Sequence, residues 1–277
     1  MPSPHRSEDL SIHEFGRTDA DAPTLVLLHG LTDSGRCWPD AVRRWRDDYR
    51  VLAWDARGHG ESERFTEEAL AYGIGETHLD DLVDLLESLG EEGIERPVLV
   101  GHSMGGGTAA AVPAHRPDLV RAVLLEDPAL GNGRYDELDI EEGARRRVAE
   151  ARATVANPQA TMREGRTIHP DWPASEFQPW LDAKLQTDVD MLADPMMTVR
   201  TPWYDVAAAV AVPALIVTGD NGAIWRDDLL ARLREVMLAN DRLELEIVSG
   251  AGHCVRRDRT EAFHTLVDPW IAKQFAE

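Results

Sequence analysis

The feature that most limits how this chain can fold is a series of six short apolar runs, each of strand length and each closed by turn or polar residues. They are TLVLLHG (Thr24–Gly30), RVLAWD (Arg50–Asp55), PVLVGH (Pro97–His102), AVLLED (Ala122–Asp127), PALIVTGD (Pro213–Asp220) and LELEIVSG (Leu243–Gly250). Unbroken apolar strands suit a sheet covered on both faces, which is the habit of parallel sheets. An earlier stretch, SIHEFG (Ser11–Gly16), alternates and reads as an antiparallel edge strand. Helical patterns fill the gaps. His78–Gly90 gathers Leu79, Leu82, Val83, Leu86 and Leu89 on one face and ends on a glycine. The stretches 106–118, Asp227–Leu238 and Arg259–Phe275 are the other helical candidates. The order predicts an α/β fold: a mostly parallel β-sheet flanked by helices.

The alternation stops between Asp127 and Pro213, an interval rich in Trp, Pro, Arg and acids with no clear strand. It is too long for a loop in a compact domain. The expected organisation is therefore a core formed by residues 1–128 and 212–277, with residues 129–211 as a helical cap over the C-terminal edge of the sheet. Within the cap, the charged stretch Tyr135–Ala153 reads as a solvated helix.

A formal net charge of −21 argues against nucleic acid, anionic membranes and polyanionic substrates as partners. The N-terminal MPSPHRSEDL is polar, and no apolar run is long enough to span a bilayer. A cytoplasmic location is expected. The basic residues are almost all arginine; Lys184 and Lys273 are the only lysines. Two cysteines, Cys37 and Cys254, make neither a disulfide framework nor a zinc site, and read as reduced thiols.

In open α/β sheets, sites form where strands end at their C-terminal edge. Those ends carry His29-Gly30, Asp55, Ser103, Asp127, Asp220 and, after the last strand, His253. Gly101-His102-Ser103-Met104-Gly105 matches the G-x-S-x-G nucleophile elbow, in which a serine stands on a sharp strand-to-helix turn too crowded for a Cβ two residues to either side. The motif alone is a weak signal, but here an apolar strand enters it and a helical stretch leaves it.

With HG after the first buried strand, DARGHGES (Asp55–Ser62), GHSMG, TGD and GAGH in this order, the chain resembles the α/β-hydrolase fold family, in its capped esterase and lactonase branch. The resemblance covers nearly the whole chain. It implies a helical cap inserted after the sixth strand of the family fold, and a triad in the order Ser…Asp…His. Ser103 is the expected nucleophile and His253 the base. Asp220, in TGDNG, holds the usual family position for the acid and is favoured; Asp127 is the alternative. Glu126, beside it, should point the other way along the strand. The oxyanion hole is expected from the backbone N–H groups of Leu31 and Met104. His29 should shape that loop, and His59 should serve the RGHG turn.

Candidate substrate-binding residues are Trp38, His102, Trp172, Trp180, Trp203 and Trp225, with Met191, Met196 and Met197 further cap candidates, most of them also readable as plain core. No metal-ligand cluster, P-loop or dinucleotide fingerprint is present, so no metal or cofactor is expected. An attacking aspartate, as in epoxide hydrolases and haloalkane dehalogenases, is replaced by Ser103. The leading expectation is a serine hydrolase cleaving a carboxylic ester or lactone of a small, fairly apolar molecule. C–C bond hydrolysis, or perhydrolase or acyltransferase chemistry on the same triad, is the alternative, and a non-catalytic small-molecule receptor is a third reading. Oligomeric state is not legible.

Overall fold

The computed structural model describes residues 10–129 and 137–276, so most of the polar N-terminal stretch, Tyr135 and Asp136 lie outside the described residues. Among the described residues seven strands form one sheet: β1 (Ile12–Gly16), β2 (Thr24–Leu28), β3 (Arg50–Trp54), β4 (Val98–His102), β5 (Ala122–Glu126), β6 (Ala214–Gly219) and β7 (Leu243–Val248). Their spatial order is β1-β3-β2-β4-β5-β6-β7. Only β1 is antiparallel, pairing Ile12 with Trp54 and Gly16 with Arg50; the remaining pairs are parallel. All six apolar runs and the alternating edge are thus found where the pattern puts them.

The helices are α1 (Pro39–Trp45), α2 (Glu67–Tyr72), α3 (Ile74–Glu91), α4 (Met104–His115), α5 (Glu137–Ala156), α6 (Pro158–Ile168), α7 (Ala174–Gln186), α8 (Trp203–Ala209), α9 (Asp227–Met237), α10 (Val255–Asp258) and α11 (Thr260–Ala276). Two core layers explain the unbroken apolar strands. Val26 and Leu28 of β2 face the layer built with Leu82 and Leu86 of α3, Ala109 and Val112 of α4, and Leu230 and Leu233 of α9. Leu25 and Leu27 face the opposite layer, with Ala41 and Trp45 of α1 and Phe263, Val267 and Ile271 of α11. Successive residues of one strand serve both faces, as the period of two requires.

Between β5 and β6 the described residues form helices and turns only, and this insertion follows the fifth strand in chain order. Its last helix, α8, does not stand apart from the sheet: Trp203 belongs to the core layer of α3, α4 and α9. The structure therefore draws α8 into the core, while Ile168 of α6 and Trp180 of α7 border a cleft together with Ser103 at the end of β4. Among the described residues, no helix is long and apolar enough to cross a membrane.

The DARGHGES turn is tied by side chains. Asp55 accepts from the N–H groups of Gly35 and Glu61 at 2.7 and 2.8 Å. Arg57 donates two hydrogen bonds to Asp81 of α3, at 3.0 and 2.8 Å. His59 Nδ1 donates to the Arg57 carbonyl, 3.1 Å away, and burial drives its pKa well below the usual histidine value. This turn braces the loop after β2 from below.

Candidate active site

Ser103 follows β4 directly and precedes α4. Its backbone is left-handed, φ 51° and ψ −115°, a conformation an L-residue holds only when its surroundings impose it. The imposing groups are visible. A Cβ at Gly105 would run into the Leu28 carbonyl, and one at Gly101 would lie 2.7 Å from the Gly106 Cα. The two glycines allow the strand, the turn and α4 to close over one another.

Ser103 Oγ lies 2.9 Å from His253 Nε2, and His253 Nδ1 lies 2.6 Å from Asp127 Oδ2. The acid in contact with the histidine is therefore Asp127, and the preference for Asp220 is corrected. Asp220 is exposed, and its Oδ1 accepts the Gly250 N–H at 2.6 Å in the turn after β7. That hydrogen bond is the main cause of its lowered pKa. Asp127 is fully buried, with a left-handed backbone of its own at φ 37°. The Thr218 hydroxyl donates to its Oδ1 at 2.6 Å and the Ile224 N–H to its Oδ2 at 2.9 Å. These two donors aim the carboxylate at His253. Glu126 turns the other way, as strand alternation requires, and accepts from the Arg256 N–H and guanidinium at 2.7 and 2.5 Å.

The loop after β2 meets Ser103 from the other side. The Gly105 N–H donates to the His29 carbonyl at 3.1 Å, and a Cβ on Gly30 would lie 3.2 Å from that of Ser103. His29 accepts the Ala56 N–H at Nε2, 3.0 Å, which leaves Nδ1 to donate to the Gly30 carbonyl at 2.8 Å. Burial lowers its pKa and keeps the ring neutral. Leu31 and Met104 thus flank Ser103 from two loops, and both Leu31 and Ser103 border the same cleft.

That cleft has a volume of about 670 Å³. Trp172, Trp180 and Ile168 form an apolar wall, whereas Asp33, Lys184, Arg257 and Asp258 bring charge to it. Three of the expected binding residues border it: Trp172, Trp180 and His102. His102 is almost wholly buried, and its Nε2 donates to the His253 carbonyl at 3.1 Å, so it chiefly holds the loop of the base. Burial, and secondarily His253, push its pKa well below the usual value.

Trp38, Trp203 and Trp225 do not border the cleft, and that expectation is corrected. Trp38 is fully buried at the start of α1, with the Arg256 guanidinium 3.9 Å above its ring. Trp203 and Trp225 pack edge to face, 5.0 Å between centroids, behind the acid loop, where Trp225 Nε1 donates to the Pro128 carbonyl at 3.0 Å. Their loops start at the site, but the side chains point into the core. Met191 is likewise buried, beside Ile74 and Leu192. Both cysteines are free thiols, and burial pushes Cys254 up to about 12, so the thiol next to His253 stays protonated. Among the described residues there is no cluster of His, Cys, Asp or Glu able to hold a metal ion.

Gly106 and Gly107 serve the acid loop. A Cβ at Gly106 would lie 3.0 Å from Cα and Cβ of Pro128, and one at Gly107 would lie 2.8 Å from the Ala129 carbonyl oxygen. Gly→Ala inside a helix ordinarily adds about 0.5–1 kcal/mol of stability. Here Gly106→Ala and Gly107→Ala are expected to reverse that sign, each costing about 1–3 kcal/mol through overpacking, read from denaturant unfolding. A higher unfolding midpoint in both variants would remove the close-packing role.

The residues from 25 to 266 match the model of the alpha/beta hydrolase family. The mouse sn-1-specific diacylglycerol lipase ABHD11 is 26% identical over 266 residues, covering 92% of this chain and 82% of that protein. The crystal structure of the enol-lactonase from Burkholderia xenovorans LB400 superposes with a TM-score of 0.71 at 24% identity, over 95% of this chain and 96% of that one. At that identity the likeness speaks for the fold. The chain spans 40% and 32% of the length of two curated relatives that it matches in part; the second is mouse epoxide hydrolase 4, 28% identical over 120 residues and 43% of this chain.

Proposed function

This chain belongs to the alpha/beta hydrolase family, and on that premise we propose that it is a serine hydrolase cleaving a carboxylic ester or lactone of a small molecule through an acyl-enzyme on Ser103. The observation that carries the reading is the unbroken chain of hydrogen bonds from Ser103 Oγ through His253 to Asp127. Ser103 Oγ attacks the carbonyl carbon and its proton passes to His253 Nε2. The tetrahedral intermediate collapses, the alkoxide leaves with that proton, and the acyl group stays on Ser103. Water then gives its proton to His253, attacks the acyl carbon, and the acid departs as Ser103 recovers its proton. Asp127 holds the ring in the tautomer with Nδ1 protonated and steadies the imidazolium. The N–H groups of Leu31 and Met104 receive the oxyanion, and the N-terminus of α4 adds its dipole there.

The neighbours named as esterases and lactonases support this bond type. Backbone strain of the kind held at Ser103 gathers at reacting positions, which favours catalysis over binding alone. The test is a fluorophosphonate probe with peptide mass mapping. A covalent adduct on Ser103, absent from Ser103→Ala together with ester cleavage, is the expected result. An unlabelled Ser103, with ester cleavage intact in Ser103→Ala, would sink the reading.

A further inference from the structure

Among the described residues, the cleft beside Ser103 holds one cation whose charge is not met by direct contact with a carboxylate. Arg257 is paired with Asp33 at 3.1 Å and Glu176 at 2.8 Å, and Arg259 with Asp171 at 2.8 Å. Asp258, the remaining acid of the lining, accepts from Trp172 Nε1 and the Gly252 N–H, both at 2.7 Å. Lys184 of α7 differs. Its Nζ donates to the Thr32 hydroxyl at 2.8 Å and lies 4.9 Å from the centroid of the Trp180 ring, and among the described residues no carboxylate is within 4.0 Å of it.

An ammonium has three donors, and a neutral hydroxyl takes one. The other two belong to a group bordering both the Ser103 cleft and a second cavity of about 480 Å³ under α5 and α6, which shares Leu31, Thr32, Ile168, His169 and Trp180 with it. Asp33, held in contact by Arg257, reaches Lys184 only through a longer-range field. A cation removed from water with no carboxylate in contact is costly, and an arriving anion regains that cost as binding energy. Thr32 directly follows Leu31, so the ammonium stands one residue from the N–H assigned to the oxyanion.

We propose that the substrate carries a free carboxylate, bound by Lys184 Nζ beside Thr32 while Ser103 attacks the ester or lactone carbonyl. The inference rests on the serine-hydrolase reading and narrows its substrate to a monoanion. A single lysine, set among Asp33, Asp171 and Asp258 in a chain of formal charge −21, offsets one negative charge and not two. The apolar part of such a substrate has the Trp172–Trp180 wall to lie against. Lys184 is thereby a specificity residue, distinct from the groups that move protons.

The experiment uses two matched ester pairs whose members differ only in whether a remote carboxyl is free or methylated. One pair carries it in the acyl part (monophenyl adipate and its methyl ester), the other in the alcohol part (3-acetoxybenzoate and its methyl ester). The wild type is expected to favour the free acid in at least one pair by about tenfold in kcat/KM. In Lys184→Met that ratio should fall by about thirtyfold, and Lys184→Arg should keep most of it. Preference for the methylated member in both pairs, or a ratio that Lys184→Met does not move, overturns the proposal. Fluorophosphonate labelling of Ser103 in the same samples reports the serine chemistry separately. Should none of the four esters be cleaved, calorimetric binding of the same pairs decides. Tighter binding of the free acid, lost in Lys184→Met, supports the carboxylate site; equal binding of both members overturns it.

Discussion

Asp127→Asn should lower kcat for a neutral aryl ester by about 10⁴-fold, while Asp220→Asn stays within about threefold of the wild type. The contrast follows from donors. Thr218 and Ile224 already give hydrogen bonds to the Asp127 carboxylate, and His253 must give a third. An asparagine amide offers one acceptor oxygen and one donor nitrogen. With the nitrogen in the Oδ2 place both Ile224 and His253 face a donor; with it in the Oδ1 place the Thr218 hydroxyl can accept, but the neutral amide lacks the charge that steadies the imidazolium. If His253 is the one displaced, its ring turns over to the wrong tautomer and no longer presents a lone pair to Ser103. Asp220 has a backbone N–H to satisfy and nothing in the cleft, so its loss loosens a turn. Steady-state kinetics on both variants decide the matter. A larger loss in Asp220→Asn would mean that the catalytic state uses a different arrangement from the one described.

The largest stability effect is expected at the carboxylate next door. Glu126 is fully buried, and Arg256, itself buried, supplies both its guanidinium and its backbone N–H to it. Burial raises the pKa of Glu126, opposed by Arg256. Removing one partner leaves the other charge stranded in the core, so Arg256→Ala is expected to cost about 3–5 kcal/mol. For a chain of this size that lowers Tm by about 10 °C. The double variant Glu126→Leu/Arg256→Met should regain a large part of the loss, because an apolar pair of similar volume replaces the ionic one. Thermal unfolding followed by circular dichroism measures both. An Arg256→Ala protein that melts within about 2 °C of the wild type would show that buried Glu126 does not rely on that guanidinium.

The strands were legible because their burial is two-sided. A run such as Leu25-Val26-Leu27-Leu28 has no polar face to hide, and the two core layers take its residues in turn. Ser103 and His253 were legible because the elbow and the loop after the last strand are local patterns. The acid was not, since Asp127 and Asp220 both close a parallel strand. What separates them is long-range: Thr218 and Ile224 on one carboxylate, Gly250 on the other. The tryptophans failed for a related reason. Nearness in sequence to a site loop says nothing about which way a ring points, and Trp38 and Trp225 turn inward within one or two residues of the loops that suggested them. Lys184 had a signal that went unused. In a chain that spends arginine almost everywhere, a lysine in the insertion is out of pattern.

With Asp127 as the acid, nucleophile and acid lie on neighbouring strands, His102 paired in register with Glu126, and both come before the inserted helices. The base comes after them. Lengthening, shortening or exchanging α5–α7 therefore leaves the Ser103–Asp127 spacing untouched and demands only that His253 return to the same corner. Had Asp220 served, the insertion would separate the nucleophile from both of its partners. If Lys184 selects the substrate as proposed, α5–α7 form an interchangeable cassette: chimeras grafted at the ends of that segment should carry substrate preference with them while Ser103 and Asp127 stay where β4 and β5 hold them.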